Sequence, residues 1–382
     1  MREVNDVEVP FSGLKQTYRD NKVLFDSCFS EVAENAAFIG TDHNSYVKNF
    51  EKDFQQFLGV GHAVGCANGS DAIELVLRAL DIGIGDEVVV PAMTWVSTAS
   101  MVSVVGATPV FVDNSVYDYN LDIDLLANCI TSRTKAVIAV HLYGQPANIR
   151  ALKGFCDKRS IYLIEDCAQS HGAKIDNLHC GCFGVAGTFS FFPSKNLGGF
   201  GDAGCVVSNS DQLVQKLRLL RNHGQVVKNE HLILGRNSRL DGLQAAILSA
   251  KLSLFNTATA GRLAVADYYH SNISNPLIVL PPVIEARLSV FHQFVVRTKY
   301  RDELAAYLKH NHVETAVHYP NALPDMKIFS SSLNNSDYPI ACLIAREGLS
   351  LPIFPELTQK QVEKVVCLVN AFNPDNTRSK RV

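Results

Sequence analysis

Between residues 60 and 210, short apolar runs alternate with stretches in which apolar positions recur every third or fourth residue. The runs predict strands at Glu87–Val90, ended by Pro91, at Thr108–Asp113, at Lys135–Val140 and at Ile161–Ile164, the last closing on Glu165-Asp166. The helical spacing predicts helices over Ser97–Val105, from Leu125 to Ile130 and over Ile149–Lys158. It also predicts a buried helix through Ile73–Leu80, with Ser70 or Asp71 as its expected N-cap. Apolar strands that alternate with helices imply an α/β fold with a mostly parallel sheet covered on both faces. Ligands of such sheets sit beyond the carboxyl ends of the strands, where Asp113, His141 and Asp166 fall.

Residues 20–58 read as helices broken at Ile39-Gly40-Thr41, with Phe50, Phe54 and Phe57 on one packing face. Thr188–Phe192 reads as a strand that Pro193 ends, because proline has no N–H to give to the ladder. Cys205-Val206-Val207 reads as another strand. Leu213–Leu220, Gln244–Leu254 and Gly261–His270 read as helices, followed by an Asn- and Pro-rich loop over Ser271–Pro282. Beyond it come a strand over Ser289–Arg297, a helix over Arg301–Lys309 and a strand over Glu314–Val317. The capping box Thr358-x-x-Gln361 opens a last helix through Val369. The change in pattern sets an expected boundary near residue 255, with a large domain over 1–255 and a smaller C-terminal α+β domain over 256–382.

The chain has 382 residues, 47 % of them apolar, which is enough for two cores. A net charge of −3 gives no basis for binding nucleic acid or a membrane surface. No run approaches the ~18 apolar residues of a membrane span, and Met1-Arg-Glu-Val-Asn-Asp6 lacks the apolar core of a signal peptide. The ten cysteines lie mostly in apolar strings, such as Cys167, Cys205 and Cys367, as in a reducing compartment. The expectation is a cytoplasmic protein with a frayed basic tail, Arg378-Ser-Lys-Arg-Val382. His179-Cys180-x-Cys182 has no second pair at zinc spacing, so no metal is expected.

Lys195 follows the aromatic run and precedes a glycine-rich stretch. A lysine held against close-packed backbone is poorly hydrated, which lowers its pKa and frees the amine as a nucleophile toward carbonyls. The alternative is a surface lysine in a flexible loop. Gly199-x-Gly201-x-x-Gly204 matches a dinucleotide fingerprint as a string, but it leads into a strand where the fingerprint must open a helix, so nicotinamide binding is rejected. The Gly69-Ser70-Asp71 turn offers helix-start amides to a phosphate, or is a plain capped helix. Asp166 is placed to pair with a pyridinium nitrogen. Trp95, the only tryptophan, would stack on a ring or pack in a core. Lysine, carboxylate and phosphate seat together are what pyridoxal phosphate needs.

These residues stand in strings that resemble the sugar aminotransferases of the DegT/DnrJ/EryC1/StrS family, over nearly the whole chain. The strings are Ala67-Asn-Gly-Ser-Asp-Ala72, Gly85-Asp-Glu-Val-Val, Thr94-Trp-Val-Ser-Thr-Ala99, Gly106-Ala-Thr-Pro-Val-Phe-Val-Asp113 and His141-Leu-Tyr-Gly-Gln145. Further on they are Glu165-Asp-Cys-Ala-Gln-Ser170, Ser190-Phe-Phe-Pro-Ser-Lys195-Asn-Leu-Gly198, Gly201-Asp-Ala-Gly204, Leu220-Arg-Asn-His-Gly224, Asn237-Ser-Arg-Leu-Asp-Gly-Leu-Gln-Ala-Ala246, His318-Tyr-Pro320 and Leu349-Ser-Leu-Pro352.

The resemblance implies a pyridoxal phosphate-dependent type I transferase fold with a mostly parallel seven-stranded sheet, and a homodimer whose active sites are shared. It implies that Lys195 carries the cofactor as an internal aldimine and shuttles the proton, and that Asp166 holds the ring nitrogen. Gln169 would bond the ring oxygen, and Trp95 would cover the ring face. Ser190 and the Gly69-Ser70-Asp71 turn, through the amides of Ser70 and Asp71, would hold the phosphate, with Asn237 reaching it from the partner subunit. Arg236, Arg239, His318 and Tyr319 would lie near the substrate. The implied reaction moves an amino group from glutamate to a ketone, at C3 rather than C4, of a dTDP-, UDP- or GDP-linked keto-deoxyhexose. The product would feed a lipopolysaccharide O-antigen, another surface polysaccharide or a glycoside.

Two departures bear on the sugar. Family members often carry Gly-Tyr-Asn where this chain has Gly235-Arg236-Asn237, so Arg236 either touches the sugar nucleotide or is solvated. A histidine expected after His318-Tyr-Pro320 is missing from Asn321-Ala-Leu-Pro324. A sugar dehydratase on this scaffold would carry His at the position of Lys195, and a non-catalytic homologue would have no need of Lys195 or Asp166. A nicotinamide-dependent epimerase would need a glycine fingerprint near the N-terminus.

Overall fold

The computed structural model describes residues 7–40, 44–329 and 337–375. The basic tail, Met1–Asp6 and Thr41 lie outside them. Helices α1 (Leu14–Asp20), α2 (Lys22–Glu34) and α3 (Ser45–Leu58) come first. Strand β1 (His62–Cys66) leads into α4 (Gly69–Ala79), β2 (Glu87–Pro91) into α5 (Ser97–Val104), and β3 (Thr108–Val112) into the single turn α6 (Ile123–Leu126). Then come β4 (Thr134–Val140), α7 (Ile149–Asp157), β5 (Tyr162–Asp166), the short strands β6 (Lys174–Ile175) and β7 (Leu178–His179), β8 (Ala186–Ser190), β9 (Gly204–Ser208) and α8 (Asp211–Arg221).

The seven long strands form one sheet in the order β1-β9-β8-β5-β4-β2-β3. Only β9 runs antiparallel to its neighbours; the other pairings are parallel. Valine-rich strands buried on both faces fit this arrangement. On one side, Phe54 of α3 meets the edges of Phe189 and Phe191 at 5.0 and 5.3 Å, and Phe50 meets Phe191 at 5.2 Å. Such pairs add ~0.5–1.5 kcal/mol each beyond their buried area. Glu51 of α3 ties this layer to β1: its Oε1 accepts from the Gly65 N–H at 2.8 Å and from Arg221 of α8 at 2.5 Å.

After a hairpin of β10 (Gln225–Val227) and β11 (Glu230–His231), one helix, α9 (Gly242–Asn272), runs for 31 residues. The sequence divides it in two because residues 256–260 carry no apolar stripe. The helix there passes between two cores, with Phe255 packed in one and Val265, Ala266 and Tyr269 in the other. Short β12 (Arg287–Leu288), β13 (Phe294–Arg297), α10 (Arg301–His310), α11 (Pro339–Glu347), β14 (Gly348–Leu351) and α12 (Gln359–Ala371) follow among the described residues. β13 and β14 pair antiparallel. Val9 joins this second core: it is buried there and its N–H bonds the His312 carbonyl at 2.9 Å.

Several expected elements change. Ser289–Arg297 is a strand only from Phe294, and Glu314–Val317 forms no strand but a single bridge, Ala316 to Ser350. Residues beyond Ser190 leave the ladder before Pro193. The Thr358–Gln361 capping box is present. Cys167 and Cys205 are buried, whereas Cys367 is exposed, because it lies on the outer face of α12.

The sheet also sets the site. Antiparallel pairing puts Cys66 opposite Gly204, so the turn after β1 crosses the start of β9. A Cβ on Gly204 would lie 2.3 Å from the Asn68 carbonyl oxygen. Gly204→Ala therefore displaces the turn and destabilises the protein by about 1–3 kcal/mol. Thermal unfolding of the apo-protein checks this, and an unchanged Tm would contradict the packing.

Candidate active site

The turn after β1 caps α4. Asn68 is the N-cap, in extended conformation (φ −166°), and its side chain accepts from the Asp71 N–H at 2.8 Å. This corrects the expectation of Ser70 or Asp71 as the cap. The Asp71 amide is thereby occupied, and the helix-start amides without a helical acceptor are those of Gly69 and Ser70. Ser190, at the end of β8, stands beside them. A Cβ on Gly69 would come within 2.6 Å of the Ser190 Cβ, so only glycine lets the two approach. The Ser70 hydroxyl meets that of Ser97 at 2.7 Å.

Parallel pairing of β5 with β8 brings Asp166 to the same edge. Its carboxylate accepts from the Thr98 hydroxyl at 2.9 Å and the Ala168 N–H at 3.1 Å. Burial pushes its pKa up; these two hydrogen bonds and the charge of Lys195 pull it back. Beyond β8 the chain turns through Pro193, with the Lys195 N–H on the Phe192 carbonyl at 2.8 Å. Although part of the Lys195 side chain is accessible, its amine is walled in, and burial lowers its pKa to about 8 against the opposing pull of Asp166.

A cavity of about 800 Å³ joins these groups. Gly69, Ser70, Asp71, Ser190, Asp166, Gln169 and Lys195 line it. Trp95, His318 and Tyr319 line it too. Trp95 is 54 % exposed, so it is a cleft wall and not core, and its ring lies 5.3 Å from that of Tyr319. Gln169 accepts from the Tyr143 N–H at 2.6 Å and donates to the Tyr319 hydroxyl at 2.9 Å. His318 meets the Ser350 hydroxyl at 2.8 Å, and burial lowers its pKa to about 4.

Arg236 lines the cavity, partly exposed but not free: it pairs with Glu74, and with Asp71 at 3.4 Å. Asn237 and Arg239 do not line it. Asn237 is exposed, and Arg239 reaches the Asn222 side chain at 3.4 Å.

Sequence reasoning missed His292, Gln293, Tyr143 and Thr98, all at or behind the cavity wall. The signal for His292 was a polar interruption in the apolar run Val290–Val296. His171 was missed as well. It is fully buried, and burial lowers its pKa to about 3. Among the described residues, His141, Glu165 and Cys167 bring ligand atoms within 4.8 Å of one another. Glu165 already accepts from the amides of Gly181, Phe183 and Gly184 and faces His141, so this is a filled structural cluster.

The family model described as the DegT/DnrJ/EryC1/StrS aminotransferase family matches residues 27–370. The chain belongs to that family. It is 40 % identical over 370 residues, 96 % of this chain and 99 % of the other, to a protein of Geobacillus stearothermophilus named pleiotropic regulatory protein. It is likewise 40 % identical over 364 residues, 95 % of this chain and 99 % of the other, to the dTDP-3-amino-3,6-dideoxy-alpha-D-galactopyranose transaminase of Aneurinibacillus thermoaerophilus. The fold superposes with a TM-score of 0.92 on DesV of S. venezuelae in complex with a ketimine intermediate, at 38 % identity and covering 95 % of this chain and 98 % of that one.

The family depends on pyridoxal phosphate, and the residues present fit that group. The Gly69 and Ser70 amides and the Ser190 hydroxyl suit its phosphate, Asp166 suits its ring nitrogen, and a poorly hydrated amine suits its aldehyde.

The Lys195 amine titrates within this cavity, whereas His171 and His318 stay neutral at physiological pH. The rate at which apo-protein captures pyridoxal phosphate, followed by visible absorbance, should rise through one ionisation near pH 8. A second limb near ~6.5 would show an imidazole in play. The folded-state pKa lies below the ordinary 10.5. Below about pH 8 the folded state therefore bears the full cost of the buried charge, which fades as pH rises toward 10.5. Lys195→Met should raise the Tm of the apo-protein, most below pH 8. A lowered Tm there would contradict the burial of the amine.

Proposed function

We propose that this protein transfers an amino group from glutamate to a ketone, at C3 rather than C4, of a nucleotide-linked deoxyhexose. The observation that carries the reading is the placement of Lys195, Asp166 and the Gly69–Ser70 amides around one cavity. The named product of the Aneurinibacillus relative, a dTDP-linked 3-amino sugar, supports the substrate class and the ring carbon. The setting would be the cytoplasm, in the making of amino sugars for a lipopolysaccharide O-antigen or another glycan. No helix among the described residues is long and apolar enough to cross a membrane.

Bound in the cavity, pyridoxal phosphate supplies an electron sink. Lys195 would hold it covalently, and its Nζ, when free, would move the proton at the substrate carbon that bears nitrogen. A pKa lowered to about 8 keeps a usable fraction of the amine unprotonated for that work. Asp166, fixed by Thr98 and the Ala168 amide, would hold the ring nitrogen and keep it protonated. Gln169 and Tyr319, already bonded to one another, steady the cavity wall. Both half-reactions use one cavity, so ping-pong kinetics follow.

The functional unit is a homodimer with shared sites. Asn237 is exposed and does not line its own cavity, and Val226, Val227, Leu232 and Leu234 nearby expose 51, 56, 64 and 98 % of their surfaces. Such a patch suits a partner chain.

Glutamate alone should bleach the visible band of the holoenzyme, and a dTDP- or UDP-linked 3-keto sugar should restore it. Lys195→Ala should abolish turnover by at least a thousandfold and leave the dimer folded; retained turnover would refute the role of the amine. A mixture of Lys195→Ala and Asn237→Ala chains, each nearly inactive alone, should regain activity on subunit exchange, because the hybrid contains one intact site. No recovery would place Asn237 outside the partner's site.

A further inference from the structure

The large cavity meets a second one of about 300 Å³, and Ser194, Lys195, His292, Gln293 and His318 line both. At this junction His292 is 5 % exposed. Its Nδ1 lies 3.0 Å from the Asn196 side-chain oxygen, and the Asn196 amide nitrogen donates to the Val290 carbonyl at 3.2 Å. The amide is thus fixed with its oxygen toward the ring, so Nδ1 carries the proton and donates. Nε2 keeps its lone pair. It has no hydrogen-bond partner among the described residues, and unlike both ring nitrogens of His171 it is open to the cavity. Burial keeps the ring neutral, and the charges of Lys195 and Arg262 act the same way.

An open, neutral acceptor needs a donor from the ligand. Among the described residues no neighbouring donor reaches Nε2, and Lys195 would be engaged by the cofactor in the resting enzyme. Glutamate offers carboxylates, which are acceptors, and its amino group is consumed in the reaction. A sugar offers hydroxyls.

We propose that Nε2 of His292 accepts a hydrogen bond from a hydroxyl on the carbon next to the ketone of the acceptor sugar, and so sets which face of the ring meets Lys195. His292 is then a specificity residue for the sugar half-reaction, locked in its tautomer by Asn196. The assignment rests on the nucleotide-sugar reading given above.

The test titrates cofactor-loaded protein calorimetrically with dTDP-glucose and UDP-glucose, and with free dTDP and UDP. His292→Phe should weaken whichever sugar nucleotide the wild type binds by roughly three- to tenfold, while the matching free nucleotide binds as before. His292→Gln, whose amide oxygen accepts, should recover part of the loss. In turnover, KM for the 3-keto sugar nucleotide should rise while KM for glutamate holds. A proportionate loss for sugar nucleotide, free nucleotide and glutamate would mark a structural role and overturn the proposal. So would equal sugar-nucleotide affinity in the wild type and His292→Phe. Wild-type protein that binds none of these four probes, nor GDP-glucose and GDP tried beside them, would overturn the nucleotide-sugar reading and this assignment with it.

Discussion

Parallel pairing of β5 with β8 puts the ends of two strands side by side, and the chemistry of the cavity hangs on that register. Asp166 stands opposite Thr188, so Ser190 and the turn to Lys195 lie one step beyond, at the carboxyl edge. The antiparallel strand β9 returns along β8 and meets β1 at Gly204. Because Gly204 has no side chain, the Asn68 turn can close over it and present the start of α4 to Ser190. A phosphate seat, a carboxylate and an amine thus come from three places in the sequence through strand order alone.

Burial dominates the electrostatics around Lys195. It lowers the amine, raises the Asp166 carboxyl and lowers the imidazoles of His171, His292 and His318. The amine and the carboxyl are the charged pair, each moderating the other's shift. The imidazoles of His292 and His318 act as neutral hydrogen-bonding groups. The cavity can therefore take up a bulky polar ligand without a competing cation near the amine.

The sequence announced the parts of this site whose signal is local. Strand-end carboxylates, a lysine after an aromatic strand and a glycine turn before a buried helix can be read from short strings. The cap was misassigned because Asn68, Ser70 and Asp71 are all good N-caps, and only the extended backbone of Asn68 decides among them. Arg236 could not be placed, because its partners Asp71 and Glu74 lie on a helix far away in the chain. His292 was hidden for the same reason: its meaning comes from Asn196 and from a cavity formed by distant loops. The fold's main sheet was legible as alternating strands and helices. The split reading of α9 failed because a helix passing between two cores loses its apolar stripe where it touches neither.

That uninterrupted helix has an evolutionary corollary. Each residue of an α-helix advances the chain ~1.5 Å and turns it about 100°. Inserting or deleting one residue between Phe255 and Val265 would swing everything after it by that angle relative to the first core. Relatives can lengthen or shorten their surface loops freely, but α9 should keep its length, because here spacing and orientation are one variable.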